Sequence, residues 1–267
     1  MSNSSNDRRD RAAAAKSAAN LGGKRRERMI RIVGAATVLV VVIAIIAISV
    51  IAKNSASSSP DPAVTATADP NAAIPKTAFP TSSEFAYGVP FGTGSAKVPV
   101  LQMWEDFQCP ACEAVETSNG EGIRALASSG KVQLIWRPTT FLDTNLRNDS
   151  SLRSTAAWGC AIDAGKTDEY HNTVYANPPA NEGDGFTNIQ LISFASDSGI
   201  EGAALDTFTK CLNAGTYLGW AANSTAAFYK SGAQGTPYAL LNGVVVPNDV
   251  LANKDKLDAL VASATKS

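Results

Sequence analysis

Two cysteines with two residues between them, Cys109 and Cys112, form the pattern Cys-Pro-Ala-Cys. At the start of a helix, this spacing brings two thiols within reach of one disulfide. Unpaired backbone N–H groups and the helix dipole there favour a thiolate on the first cysteine. The thiolate is the nucleophile in disulfide exchange, and the second cysteine, one turn further along, can resolve the mixed disulfide. The pattern therefore predicts redox chemistry in which Cys109 attacks and Cys112 resolves.

A zinc half-site or a structural disulfide is the alternative interpretation of a single Cys-x-x-Cys pair. A zinc site would need a second such pair or other paired ligands. The remaining cysteines, Cys160 and Cys211, are isolated along the chain, and His171 is the only histidine. We therefore expect no metal and no other cofactor.

The segments around the cysteine pair predict alternating strands and helices. An apolar run from Val98 to Trp104 is typical of a central strand buried on both faces, and a short strand at Phe85 to Phe91 precedes it. A helix is predicted from Pro110 to about Ser128, with the proline in its first turn and Gly130 just beyond its end. Lys131 to Arg137 is predicted to be the next strand.

Helical spacing of apolar residues dominates from about Asn145 to Ser231. Thr187 and Gln190 form a capping box at the start of a predicted helix. One apolar helical stripe consists of Leu205, Phe208, Cys211 and Leu212. A further helix is predicted from Tyr217 to Lys230. Strand signals return at Tyr238 to Leu241, followed by the turn pair Asn242-Gly243 and a returning strand at Val244 to Val246. The last predicted helix runs from Lys254 to Ala264.

Two segments, Val98 to Cys112 (VPVLQMWEDFQCPAC) and Gly235 to Gly243 (GTPYALLNG), resemble the DsbA-like thioredoxin-fold family. The resemblance covers roughly residues 84–264. It implies an α/β thioredoxin-like fold with an inserted helical domain at about 145–231. It also implies a cis peptide bond at Thr236-Pro237 that faces the Cys-Pro-Ala-Cys site, with Thr236 offering backbone hydrogen bonds to an extended substrate.

The same resemblance implies an enzyme that forms disulfides in reduced or unfolded exported proteins. Its expected partner is a quinone-linked membrane protein that reoxidises it, of the DsbB or vitamin K epoxide reductase type. A disulfide reductase or isomerase is the alternative, although isomerases usually dimerise and no dimerisation domain is apparent, so we expect a monomer. A membrane-tethered peptide-binding module without turnover would have no need of two thiols.

The chain departs from the family pattern at two positions. Many members carry a buried acid six residues before the first cysteine, where this chain has Met103. Glu105 and Asp106 are candidates for the proton relay instead, although acids at a strand end are more often solvated. Strongly oxidising members often have histidine between the cysteines. Ala111 stands there, so we expect Cys109 to be less acidic and the site less oxidising.

Three further expectations concern the helical block and the core. Cys160 and Cys211 lie in helices predicted at Arg153 to Ala164 and Ala204 to Leu212. If Cys109 pairs with Cys112, these two remain for each other, so we expect a disulfide rather than buried free thiols.

His171 lies in a segment, Tyr170 to Asn177, that resembles a helix of the family's insertion, and we expect it to pack or cap locally rather than act in catalysis. The tryptophans are expected in the core: Trp104, Trp136, Trp158 and Trp220.

The net charge of −1 hides a charge asymmetry. Residues 1–31 contain nine Lys/Arg and three Asp/Glu (+6), whereas residues from Lys53 onward contain fourteen Lys/Arg and twenty-one Asp/Glu (−7). An acidic domain argues against nucleic-acid binding, which needs a basic surface.

Residues 32–52 are 21 uncharged, mostly apolar residues. As a helix they would be about 31 Å long, enough to cross a hydrocarbon core of roughly 30 Å. A buried core helix and a cleaved signal peptide are the alternatives. The basic residues before the run predict a cytoplasmic N-terminus, 1–31. We therefore expect a single-pass membrane protein with a spacer at 53–82 and an extracytoplasmic catalytic domain at 83–267.

Overall fold

A computed structural model of the chain describes residues 63–94 and 97–264. The described strands form one mixed sheet in the order β1-β3-β2-β4-β5. Their bounds are β1 Val89–Phe91, β2 Val100–Glu105, β3 Gln133–Pro138, β4 Tyr238–Leu241 and β5 Val244–Val246. This is the thioredoxin-like α/β sheet that the sequence predicted.

The central strand β2 runs parallel to β3 and antiparallel to β4, while β1 and β5 pair antiparallel at the two edges. The strand β2 is therefore central in the sheet. A central strand that is buried on both faces has a nearly continuous apolar sequence, as this one does. In the β2–β4 register, Trp104 is opposite Tyr238. The end of β2 therefore lies beside the start of β4, and this brings the Cys-Pro-Ala-Cys segment next to the residues that precede Tyr238.

A helical run from Pro110 to Ser128 connects β2 to β3, as predicted, but it is not uniform. It consists of α1 (Pro110–Val115), a π turn (Glu116–Gly120) and α2 (Glu121–Ser128). Gly130 follows with a positive φ of 70°, the left-handed conformation that favours glycine after a helix. The π turn was not predicted, and such turns often occur at functional sites.

The helical block follows β3 and leads back to β4. Its helices are α3 Leu142–Leu146, α4 Ser150–Asp163, α5 Thr167–Ala176, α6 Asn188–Asp197, α7 Gly202–Asn213 and α8 Leu218–Lys230. After β5 the chain forms α9 (Asn248–Leu251) and α10 (Lys254–Ala264). The insertion and the final helix agree with the sequence prediction.

Helix α4 is the centre of the block. It was predicted at Arg153 to Ala164, but it begins at Ser150 and is buried on every side through Ile162. It packs against α3, α5, α6, α7 and α8. Small residues permit this close packing: a Cβ on Gly159 would lie 2.7 Å from the Tyr217 ring.

Several local predictions are confirmed. Thr187 and Gln190 form both hydrogen bonds of the capping box. Asn242 and Gly243 have φ values of 50° and 80°, as a two-residue type I′ hairpin turn requires. Cys160 and Cys211 form a disulfide between α4 and α7, with Cα atoms 5.9 Å apart. Trp104, Trp136, Trp158 and Trp220 are all buried.

Residues 63–82 have no helix or strand, but they lie against the domain rather than apart from it. Asn223 Nδ2 donates to the Asp69 carbonyl at 2.6 Å, and the Lys76 backbone N–H donates to Asp163 at 2.9 Å. Ile74 packs on the core. These contacts offset the entropy cost of ordering the segment. The prediction of a spacer at 53–82 is therefore wrong for residues 63–82.

No helix within residues 63–94 and 97–264 is both long enough and apolar enough to cross a membrane. The predicted cytoplasmic tail at 1–31 and the predicted transmembrane helix at 32–52 lie outside the described residues, as does the first part of the predicted spacer.

Candidate active site

The two cysteines of the Cys-Pro-Ala-Cys segment occupy different positions at the start of α1. Cys109 is the N-cap residue of α1, and Pro110 is the first residue of the helix. Pro110 and Ala111 are exposed at the tip of the site. Both cysteines are free thiols, with Cys109 7% exposed and Cys112 fully buried one turn deeper. Only Cys109 is placed for direct attack on a macromolecular substrate.

The two thiols also differ in acidity. A hydrogen bond from the Cys112 side chain lowers the pKa of Cys109 to about 6, against the opposing effect of burial. The Thr236 side chain and the backbone N–H groups of Cys112 and Ala111 lower it further. Burial raises the pKa of Cys112 well above its usual range, and the hydrogen bond to Cys109 adds to this. At neutral pH the pair therefore holds one thiolate, on Cys109.

The loop before β4 closes the other side of the site. The Thr236-Pro237 peptide bond is cis, as the resemblance implied. The Cys109 thiol donates a hydrogen bond to the Thr236 carbonyl oxygen at 3.3 Å. The Thr236 backbone is thus within reach of a chain bonded to Cys109.

Glu105 and Asp106 are buried, at 5% and 0% exposure, so the expectation of a solvated pair is wrong. Burial, followed by the charge of Cys109, raises the pKa of Glu105 to about 8. The charge of Glu105 in turn contributes to the raised pKa of Cys112. Glu105 therefore carries a proton at neutral pH and is electrostatically coupled to both cysteines.

Asp106 has a different environment. Its carboxylate accepts hydrogen bonds from Ser151 Oγ at 2.6 Å and from the backbone N–H groups of Gln108 and Leu142 at 2.9 and 3.1 Å. Gln108 Nε2 also donates to Ser151 Oγ, at 2.8 Å. These hydrogen bonds connect the loop between β2 and α1 to the helical block.

His171 connects the helical block to the sheet, whereas we had expected only local packing or capping. Its Nε2 lies 3.2 Å from Glu105 Oε2, and its ring stacks on Trp136 with centroids 4.5 Å apart. Burial lowers the pKa of His171 to about 4. The imidazole is therefore neutral at physiological pH, and its contact with Glu105 is a hydrogen bond rather than an ion pair.

Glu116, the first residue of the π turn, completes the buried cluster. Its Oε2 accepts a hydrogen bond from Arg124 Nη1 at 2.7 Å. Burial, followed by the charge of Glu105, raises the pKa of Glu116 to about 7. Sequence reasoning missed Glu116, although it lies four residues after Cys112 and such residues share a helix face.

Glu105, Glu116 and His171 each place one potential ligand atom within 4.8 Å of the others. Two carboxylates and an imidazole are chemically suited to a divalent cation. However, Arg124 already supplies a positive charge at Glu116. The arrangement therefore fits two carboxyl groups that share protons better than it fits a metal centre.

A small cavity of about 180 Å³ adjoins Cys109 on the side of the helical block. Phe107, Val174 and Tyr175 form its apolar wall, and Glu113 and Glu182 also line it. We call it the flanking pocket. No sequence signal indicated it, because its residues come from two segments, 107–113 and 174–182, that are far apart in the chain.

A family model described as thioredoxin matches residues 87–261, which is more than half of the chain. The chain belongs to the thioredoxin family. No curated protein sequence matches it.

Three solved structures have a similar fold. MdbA, a thiol-disulfide oxidoreductase from Actinomyces oris, is 23% identical with a TM-score of 0.61, covering 74% of this chain and 95% of that one. BdbD from Bacillus subtilis is 17% identical with a TM-score of 0.59, covering 74% and 100%. DsbA from Mycobacterium tuberculosis is 22% identical with a TM-score of 0.51, covering 67% and 100%. The fold of this family member is the DsbA-like form, with a helical insertion.

Proposed function

We propose that this member of the thioredoxin family is a thiol-disulfide oxidoreductase that forms disulfides in exported proteins through Cys109 and Cys112. The observation that carries the proposal is the contrast between the two thiols. Cys109 is at a helix N-terminus with its pKa lowered to about 6, while Cys112 is fully buried with its pKa raised. One thiol is an attacking and leaving group, and the other stays inside as the resolving partner.

In the oxidising direction the active form is the Cys109–Cys112 disulfide. A substrate thiolate attacks the Cys109 sulfur, a mixed disulfide forms, and Cys112 leaves as a thiolate that takes up a proton. A second substrate thiolate then attacks the substrate sulfur, and Cys109 leaves. Two electrons pass from the substrate dithiol to the enzyme. The substrate releases two protons: one replaces the proton that Cys112 has taken up, and the other goes to solvent, because Cys109 ends as a thiolate at neutral pH.

The lowered pKa of Cys109 favours this direction. Stabilising the thiolate stabilises the reduced enzyme, and therefore makes the disulfide more oxidising. A value of about 6 lies between the roughly 7 of thioredoxin and the roughly 3.5 of DsbA. We infer a moderately oxidising protein, in keeping with Ala111 in place of histidine.

Two neighbouring groups complete the proposed mechanism. Thr236, next to cis Pro237, offers its backbone carbonyl to an extended substrate once Cys109 no longer donates to it. Glu105, protonated at neutral pH, supplies the proton that the buried Cys112 takes up on leaving. Glu105 thereby takes the role that the family gives to an acid at the position of Met103.

The proposal includes a location and a reoxidant. Residues 32–52 would anchor the protein in the membrane with its catalytic domain outside, and a quinone-linked partner of the DsbB or vitamin K epoxide reductase type would restore its disulfide. A reporter fused after Ser267 should be active outside the membrane and inactive inside. Cytoplasmic activity of the reporter would contradict this location.

The decisive experiment is the reduction potential of the Cys109–Cys112 pair, measured by equilibration with glutathione, together with oxidation of a reduced, unfolded protein. We expect a potential clearly above the roughly −270 mV of thioredoxin and efficient oxidation, with poor isomerisation of scrambled disulfides. A potential near that of thioredoxin with no oxidation would favour the reductase instead.

A further inference from the structure

The flanking pocket lies between the active-site loop and the end of α5. Phe107 precedes Cys109 in the loop, and its ring centroid is 5.1 Å from that of Tyr175 on α5. Phe107 and Tyr175 are 6% and 4% exposed, and Val174 is fully buried. The wall of the pocket is therefore a rigid apolar surface next to the reacting sulfur.

Two carboxylates also line this apolar wall. Glu113 is half-buried on α1, and Thr117 Oγ1 donates to its Oε1 at 3.0 Å. Glu182 is exposed in the loop after α5. The described residues that line the pocket include no lysine or arginine. The pocket thus combines an apolar wall with uncompensated negative charge.

Resting on the proposed function, we propose that the flanking pocket is a substrate subsite for a lysine or arginine side chain close to the substrate's reacting cysteine. Such side chains lay their methylene stem on an apolar surface while the charged head stays in water. Here the stem would contact Phe107 and Tyr175, and the cation would face Glu113 and Glu182.

The size and position of the pocket define what it can accept. A volume of about 180 Å³ is below the roughly 300–1,000 Å³ of small-molecule sites, so it suits a single side chain. Cys109 itself lines the pocket. An occupant must therefore be within a few residues of the substrate sulfur bonded to Cys109.

Charge on a larger scale points the same way. Residues from Lys53 onward carry fourteen Lys/Arg and twenty-one Asp/Glu, a net −7. The field of an acidic domain attracts cationic chains and repels anionic ones. An aspartate or glutamate beside the substrate cysteine would be disfavoured both on approach and within the pocket.

The test uses the full-length chain, purified in mild detergent and oxidised at Cys109 and Cys112. It is mixed with reduced dithiol peptides that differ only in the residue beside the first cysteine, which is Lys, Met or Glu. The second-order rate of enzyme reduction is measured by acid quench and mass spectrometry. Lysine also changes the peptide thiol itself, so the informative quantity is the Lys/Met rate ratio compared between enzyme variants.

We expect this ratio to fall by about two- to fivefold, the effect of an exposed ion pair, in the double variant Glu113→Gln/Glu182→Gln. High salt should reduce the wild-type ratio in the same way. The matched control is Glu201→Gln, which removes one exposed carboxylate at the start of α7 and should keep the wild-type ratio.

Different outcomes of this experiment would contradict the subsite and the proposed function separately. If all three peptides reduce the enzyme but the Lys/Met ratio is the same in wild type and double variant, the subsite is wrong while the oxidase proposal stands. If Glu201→Gln lowers the ratio as much as the double variant does, the preference arises from overall charge and the subsite is again wrong. If no peptide reduces the enzyme, both proposals fail.

Discussion

The Nε2 atom of His171 lies 3.2 Å from Oε2 of Glu105, although the two residues are 66 positions apart in the chain. Their contact joins the helical insertion to the end of the central strand, directly behind the two cysteines. Burial keeps the imidazole neutral and the carboxyl group protonated at neutral pH. The contact is therefore a hydrogen bond between neutral groups, and the Glu105 proton is available near Cys112.

The first prediction concerns that proton. Glu105→Gln should slow release of Cys112 from the disulfide at pH 7 by about tenfold or more, as loss of a general acid does. After correction for ionisation of the substrate thiol, the wild-type rate should fall as Glu105 loses its proton, and the variant should lack this inflection. Its midpoint should lie below the value of about 8 that applies to the dithiol form, because Cys109 has no charge in the disulfide. Stopped-flow reduction from pH 6 to 9 provides the measurement. Glu121→Gln, on the exposed side of α2, is the control, and an unchanged inflection in Glu105→Gln would refute the relay.

Stability should also depend on pH. The folded-state pKa values of Glu105 and Glu116 are raised to about 8 and 7. At any pH between the ordinary pKa of such a group and its raised pKa, the folded state binds more protons than the unfolded state. Stability is therefore lost as pH rises. His171, with its pKa lowered to about 4, has the opposite effect up to its ordinary value. In the reduced protein Cys109, with its pKa lowered to about 6, also adds stability as pH rises above that value. The loss due to the carboxyl groups is therefore measured by comparing wild type with a carboxyl variant.

Urea unfolding of reduced wild type and reduced Glu105→Gln at pH 6.5 and 8 measures this loss. Relative to wild type, the change in the free energy of unfolding from pH 6.5 to 8 should be more favourable in Glu105→Gln by about 1.4 kcal/mol, the free energy of one tenfold change in an acid dissociation constant. The same difference in wild type and variant would mean that Glu105 does not titrate in this range.

The third prediction is the acidity of Cys109. Thiolate absorbance or the rate of alkylation should titrate with a midpoint near pH 6 in the reduced protein. Because the Cys112 side chain is the largest cause of the lowered pKa, Cys112→Ala should move the midpoint upward. A wild-type midpoint near the ordinary thiol value would show that Cys109 is not activated.

The fourth prediction separates the roles of the two cysteines. Cys112→Ala should accumulate mixed disulfides with a disulfide-bonded substrate, because the Cys109 thiolate breaks the substrate disulfide, releases one substrate thiolate, and no buried thiol remains to resolve the product. Cys109→Ala should accumulate none, since Cys112 is fully buried. Non-reducing electrophoresis with a disulfide-bonded substrate distinguishes the two, and the reverse pattern would exchange their roles.

The fifth prediction concerns the disulfide between Cys160 and Cys211, which closes a loop with a sequence separation of 51. Replacing both with Ala should lower the free energy of unfolding by up to about 4 kcal/mol. The reduction potential of Cys109 and Cys112 should stay the same, because this disulfide lies between α4 and α7. A changed potential with unchanged stability would contradict a structural role.

Local sequence motifs predicted much of this fold. The Cys-Pro-Ala-Cys helix start, the capping box at Thr187 and the Asn242-Gly243 turn each depend on chemistry between near neighbours. The order of strands and helices then indicated a thioredoxin-like sheet with an inserted block. The pairing of Cys160 with Cys211 followed once the other two cysteines had been assigned to each other.

Only the tertiary structure decided which polar residues are buried together. Glu105 and Asp106 look like solvated acids in the sequence, and His171 looks like an isolated helix residue. Packing of α5 onto the π turn and sheet removes Glu105, Glu116 and His171 from water. This desolvation shifts their pKa values, and Glu105 is also coupled to both cysteines. The flanking pocket arises in the same way, because burial and electric field depend on neighbours in space that the linear order does not specify.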